Sequence, residues 1–159
     1  MKKSFILHVL SGLGIAMLSF SCTKRPNDPI VIDTTVDLKY VNSEAIDILN
    51  ETYIKDLKVF HLVEGKLLSP DLSKGHEMGF LLYKDLKGQN ILRIFPFQPP
   101  GKDTTITILK FNNTVQDTLT SYLSHEKNTV ICTKAFYNGN LEWYSGDPVK
   151  PERILTIIK

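Results

Sequence analysis

From residue 36 onward, β-branched and aromatic residues gather in short runs separated by Asn, Asp, Gly and Pro. That rhythm predicts strands over 36–41, 57–63, 78–84, 91–97, 104–111, 114–122, 129–137, 141–144 and 153–158. Turn chemistry falls between most of them. Residues 85–90 hold Gly88, Pro99-Pro100-Gly101 is a hard break, Asn112-Asn113 tolerates positive φ, and Asn138-Gly139 is a strong hairpin signal. Short strands in series without long helices predict an all-β fold, an antiparallel β-sandwich.

One stretch reads both ways. Over 43–58, a helix would put Ile46, Leu49, Tyr53 and Leu57 on one face with Ser43 as N-cap. A strand would alternate Ile46 and Ile48 with Asp47, and the surrounding β texture favours a strand over 45–49. In the hairpin of 129–144, period-two alternation puts Phe136, Leu141 and Trp143 on one face, expected to be core. Tyr137, Glu142 and Tyr144 then share the outer face.

The first 21 residues have a different pattern. Lys2 and Lys3 precede an apolar run from Phe5 to Leu18, and small Ser19 and Ser21 flank Phe20 just before Cys22. That is an export signal. The run is short and broken by Gly and Ser, whereas a bilayer crossing needs about 20 apolar residues, so cleavage before Cys22 is the expectation. Residues 1–21 are read as signal peptide, 22–35 with Pro26 and Pro29 as a lipidated tether, and 36–159 as a single domain.

Cleavage changes the charge. The full chain carries 19 basic and 17 acidic residues, but Lys2 and Lys3 leave with the signal and no acid does, giving 17 of each. A neutral chain carries no electrostatic case for nucleic acid. Only two cysteines, Cys22 and Cys132, remain. With Cys22 lipidated no internal disulfide can form, and Cys132, in the run Thr129-Val130-Ile131, reads as a small core residue.

The segment Ser19-Phe20-Ser21-Cys22 resembles a relaxed bacterial lipobox, with Leu18 one place early. The chain as a whole is similar in style to small lipoproteins of Bacteroidetes-type bacteria. Residues 100–144, where DTTITILKFNN is followed by a strand and then CTKAFYNGNL, resemble immunoglobulin-like lipoproteins of that group. The resemblance implies a diacylglycerol on the Cys22 sulfur, an acylated amine, and outer-membrane residence, since Thr23 stands where an Asp would resemble an inner-membrane retention signal. The leaflet stays open. It also makes Asp-Thr tripeptides candidate O-glycosylation acceptors at Thr34, Thr104 and Thr118, with Thr34 foremost because it lies in the tether.

Catalytic patterns are not found. His61, His76 and His125 are dispersed, His76-Glu77 lacks the second histidine of a helical zinc site, and the single glycines do not cluster into a phosphate cradle. No catalytic residue, metal ligand or cofactor is assigned. The expected function is a lipid-anchored binding module of the cell envelope, its partners the membrane through the lipid and an envelope protein or saccharide. Tyr137 and Tyr144, as rings on a sheet face, are the candidate ligand contacts. A fimbria-accessory subunit and an enzyme with a spatially assembled site remain the rival classes.

Overall fold

The computed structural model describes residues 31–70, 78–98, 100–112 and 114–159. The stretch read as a signal peptide, Cys22 and His76 lie outside them. Eleven strands form: β1 (Val31–Asp33), β2 (Val36–Val41), β3 (Lys58–Val63), β4 (Lys66–Leu68), β5 (Phe80–Lys84), β6 (Asn90–Ile94), β7 (Thr104–Lys110), β8 (Gln116–Glu126), β9 (Thr129–Tyr137), β10 (Asn140–Tyr144) and β11 (Ile154–Ile158). Each of the nine stretches read from the sequence overlaps one of them, with β8 running on to Glu126, four residues past the stretch read at 114–122; β1 and β4 are additions.

The strands divide between a seven-stranded sheet, in the order β1-β9-β8-β7-β3-β4 with β10 also on β9, and a four-stranded sheet, β11-β2-β6-β5. Alternate residues of each sheet meet in the sandwich core. Val36, Leu38 and Tyr40 of β2 and Leu92 and Ile94 of β6 face Leu109, Leu119, Ala135 and Tyr137 of the large sheet, all buried. Both sheets are mixed, because β1 runs parallel to β9 and β11 parallel to β2. The remaining pairings are antiparallel.

The stretch read as a tether to residue 35 already holds a strand and a buried threonine. Val31–Asp33 adds a strand to β9, and Thr34 is only 5 % exposed, its Oγ1 accepting from Gln98 Nε2 at 2.9 Å. Burial takes that hydroxyl away from any glycosyl donor acting on the folded chain.

The strand expected at 45–49 does not form. Asn42 Oδ1 accepts from the amides of Glu44 and Ile46, and Ala45 turns through φ 60°. Asp47 takes the Leu49 and Asn90 amides, and only Asp47 itself bridges to Val41. Side chains that satisfy nearby amides compete with ladder bonds, and here they win. A single helical turn, α1 (Glu51–Ile54), comes next, capped by Asn50 and not Ser43: Asn50 Oδ1 accepts from the Tyr53 amide at 2.9 Å.

The hairpin loop is Asn138-Gly139, at φ 49° and 84°, the left-handed pair that a two-residue type I′ turn requires. Two bulges then shift the faces. Register slips between Leu141 and Trp143 on β10, and β9 gains an extra residue opposite Tyr122 and Leu123. Each extra residue re-aims the side chains beyond it along the strand. Trp143 is core as expected, at 5 % exposure, but Leu141 is 51 % exposed and Phe136 half-buried. Tyr137 points inward.

Candidate binding surfaces

The two candidate tyrosines lie on opposite faces of the large sheet. Tyr137 is buried, its hydroxyl 2.9 Å from that of Tyr40 and hydrogen-bonded to the Asp117 carboxylate. Asp117 also accepts from Asn138 Nδ2 at 2.9 Å and from Lys159 Nζ at 2.9 and 2.7 Å. Burial and the neighbouring Tyr40 and Asp117 push the Tyr137 phenol well above its ordinary value. This is an internal polar network and touches no ligand surface.

Tyr144 remains outside, 41 % exposed, and the register gives it different neighbours. It pairs with Lys134, which pairs with Tyr122. The adjacent row crosses six strands through Leu141, Phe136, Thr120, Ile106, Leu62 and Leu67. A third row holds Thr118, Ile108 and Phe60. Tyr122 and Phe136 have ring centroids 5.4 Å apart. Leu67, Tyr122, Leu141 and Tyr144 are all more than 40 % exposed, so the outer face of the large sheet is an apolar, aromatic surface open to water. The two remaining threonine candidates, Thr104 and Thr118, sit half-buried on the same face.

The cations of this face are unmatched. Lys58 pairs with Lys110, Lys110 Nζ lies 5.3 Å from the Phe60 ring centroid, and Lys134 stands between the two tyrosines. Among the described residues none of the three forms an ion pair. Asp56 borders the hollow beside Lys58 and Lys110 without pairing with either. Glu126 lies at the far end of β8, and the bulged Glu142 is held 3.7 Å from Lys150.

The outer face of the small sheet exposes Leu81 and Ile158 beside a more polar groove. A groove of about 570 Å³ there is lined by Asp37, Tyr83, Arg93, Glu152 and Arg153 among others. Arg93 donates through Nε and Nη2 to the two Asp37 oxygens, each at 2.8 Å, and the Tyr83 hydroxyl donates to Asp37 Oδ2 at 2.8 Å. The fork of hydrogen bonds to Asp37 pushes the Arg93 pKa up. Arg153 spans Asp33 and the Thr35 carbonyl, and its guanidinium lies 4.9 Å over the Trp143 ring. Asp37 and Asp33 are thus already engaged, and the groove is largely neutralised from within.

The two described histidines, His61 and His125, do not converge. His61 is 4 % exposed inside the core, with Nδ1 3.4 Å from Thr107 Oγ1, and burial lowers its pKa to about 4. His125 is at the surface near Lys102 and Asp103. Among the described residues no group of His, Cys, Asp and Glu is arranged to hold a metal. Cys132 is 1 % exposed, and burial pushes its thiol up, consistent with a core role.

Comparison with known proteins finds no match among protein-family models, curated proteins or solved structures. The surfaces therefore stand on their own chemistry. Tyr122, Phe136 and Leu141 were not singled out by sequence reasoning as contacts. For Phe136 and Leu141 the only signal was alternation, which the bulge at Glu142 overturned against Trp143; Tyr122 lies on β8, where alternation runs unbroken.

Proposed function

We propose that the protein is a lipid-anchored binding module of the cell envelope, an immunoglobulin-like sandwich held at the outer membrane through Cys22. The outer face of its large sheet makes the contact. The observation that carries this reading is the cross-strand row of Leu141, Phe136, Thr120, Ile106, Leu62 and Leu67, apolar but for one threonine and flanked by Tyr122 and Tyr144. A soluble domain with no partner gains nothing from so much exposed apolar area on one face. The N-terminal pattern ending at Cys22 supports the anchor, and the engaged carboxylates of the small-sheet groove support binding over turnover.

Photo-crosslinking tests the contact. A crosslinking residue at Leu141 in the native envelope is expected to give a discrete adduct with an envelope component. One placed at Leu86, which lines the groove of the small sheet and is fully exposed, is expected to give none. Equal labelling from both sites would overturn the assignment of the face.

A further inference from the structure

We infer that the partner of the large-sheet face is the anionic lipid surface to which the anchor is attached: the domain lies face-down on its own membrane. This rests on the reading of Cys22 as a lipid anchor and names what the face then meets.

Charge is the first argument. The face presents Lys58, Lys110 and Lys134, none engaged in an ion pair among the described residues. On the other side of the sandwich, Asp37 with Arg93 and Asp33 with Arg153 cancel within hydrogen-bond distance. Each lysine close to an anionic surface contributes about a five-fold preference for it. Face-to-face pairing with a second copy would instead bring these lysines together.

The side chains between the lysines fit a bilayer interface. Tyr122 and Tyr144 carry rings with a polar tip, the type enriched where headgroups meet acyl chains. Leu62, Leu67, Ile106 and Leu141 supply aliphatic surface that acyl chains accept, whereas a sugar ring stacks on flat aromatic faces. Six strands spaced about 4.8 Å apart make the row about 24 Å wide.

Reach is the third argument. The chain enters the large sheet at Val31, paired with Thr129 on β9. Residues 23–30 separate it from Cys22, and eight residues at full extension span at most about 28 Å. A tether of at most that length holds the start of β1 within about 28 Å of the lipid and leaves the face free to turn down onto it.

The test uses the lipidated protein reconstituted into vesicles of phosphatidylcholine, alone or mixed with phosphatidylglycerol. An environment-sensitive fluorophore is attached at Leu141→Cys or Leu67→Cys, with Leu86→Cys as the control; Cys132, at 1 % exposure, stays unlabelled. Vesicle flotation reads the anchor separately, and Trp143 emission reports the fold. The expected result is a blue-shifted label at Leu141 and Leu67 on mixed vesicles only. The shift should vanish in the K58E/K110E/K134E variant while the protein still floats. Labels at these positions that emit as in water on both vesicle types, with the protein floating, would overturn the bilayer contact and leave the anchor standing. A shift that appears only on adding an acidic polysaccharide would assign the face to a glycan instead. Protein that does not float would remove the anchor, and the bilayer proposal with it.

Discussion

Lys159 places its ammonium 2.7 Å from Asp117 Oδ2 and, at 5.7 and 6.0 Å, over the rings of Tyr137 and Tyr40. One cation thereby joins the end of β11 in the small sheet to β8 and β9 in the large one. Burial opposes the charge on Asp117, but hydrogen bonds from Lys159, Tyr137 and Asn138 together outweigh it and hold its pKa below the usual carboxylate value.

Lys159→Met should therefore leave a buried carboxylate with too few donors and cost about 3 kcal/mol, the low end for a broken buried pair because the ammonium reaches water. Asp117→Asn should cost less, since no buried charge is left behind. The stabilisation from the depressed Asp117 pKa is present above about pH 4 and is lost as pH falls through the folded value. Urea unfolding of both variants at neutral pH and near pH 3 checks the order and the sign.

His61 acts in a different pH window. Its folded pKa of about 4 lies below the ordinary histidine value of 6.5, so between those values the unfolded chain binds a proton that the folded chain refuses. Stability should fall as pH drops from 6.5 toward 4, by about 3 kcal/mol in all. His61→Leu should flatten that part of the profile, measured as the unfolding midpoint at pH 7 against pH 4.5. The ring faces Thr107 and Phe97, neither of which titrates.

Gly79 sits at φ 73°, and a Cβ there would come within 2.6 Å of Pro70 Cγ and 3.1 Å of Val59 Cγ1. Left-handed backbone at a residue with a side chain costs about 1–3 kcal/mol by itself, and the close contact adds to it. Gly79→Ala should lower the melting temperature, whereas Gly88→Ala, equally left-handed but in open space, should lower it less.

Arg153→Lys tests whether the guanidinium shape matters at the seam. Arg153 holds the Asp33 carboxylate, the Asp33 and Thr35 carbonyls and the face of Trp143 at once, which a point charge cannot do. A loss of about 1–2 kcal/mol is expected in chemical denaturation. Proteolysis should show β1 released before the rest of the domain.

Strand existence was legible because β-branched and aromatic residues are dense in segments such as 36–41 and 129–137 and the turn residues between them have one conformational use. Asn138-Gly139 fell where the dipeptide said it would. Facing was not legible, because a single inserted residue at Glu142 moves Leu141 and Trp143 to opposite sides, and no local residue announces it. The error at Tyr137 has the same origin. At 45–49 the propensities of Ile46 and Ile48 pointed to a strand, but Asn42, Asp47 and Asn50 had amides of their own to bind. β1 was hidden because Val31–Asp33 is too short to show a period, and its partner is some hundred residues away. The binding face could not be read before the register was known, since its rows assemble side chains from six strands.

The parallel pairing of β1 with β9 has a mechanical meaning. Val31–Asp33 is bonded into the large sheet, and after two residues the chain enters β2 in the small one, with Arg153 from the small-sheet side gripping the crossing. Tension drawn through the N-terminus therefore loads β1 first, an edge strand of three residues, and passes into the small sheet only through the crossing that Arg153 holds.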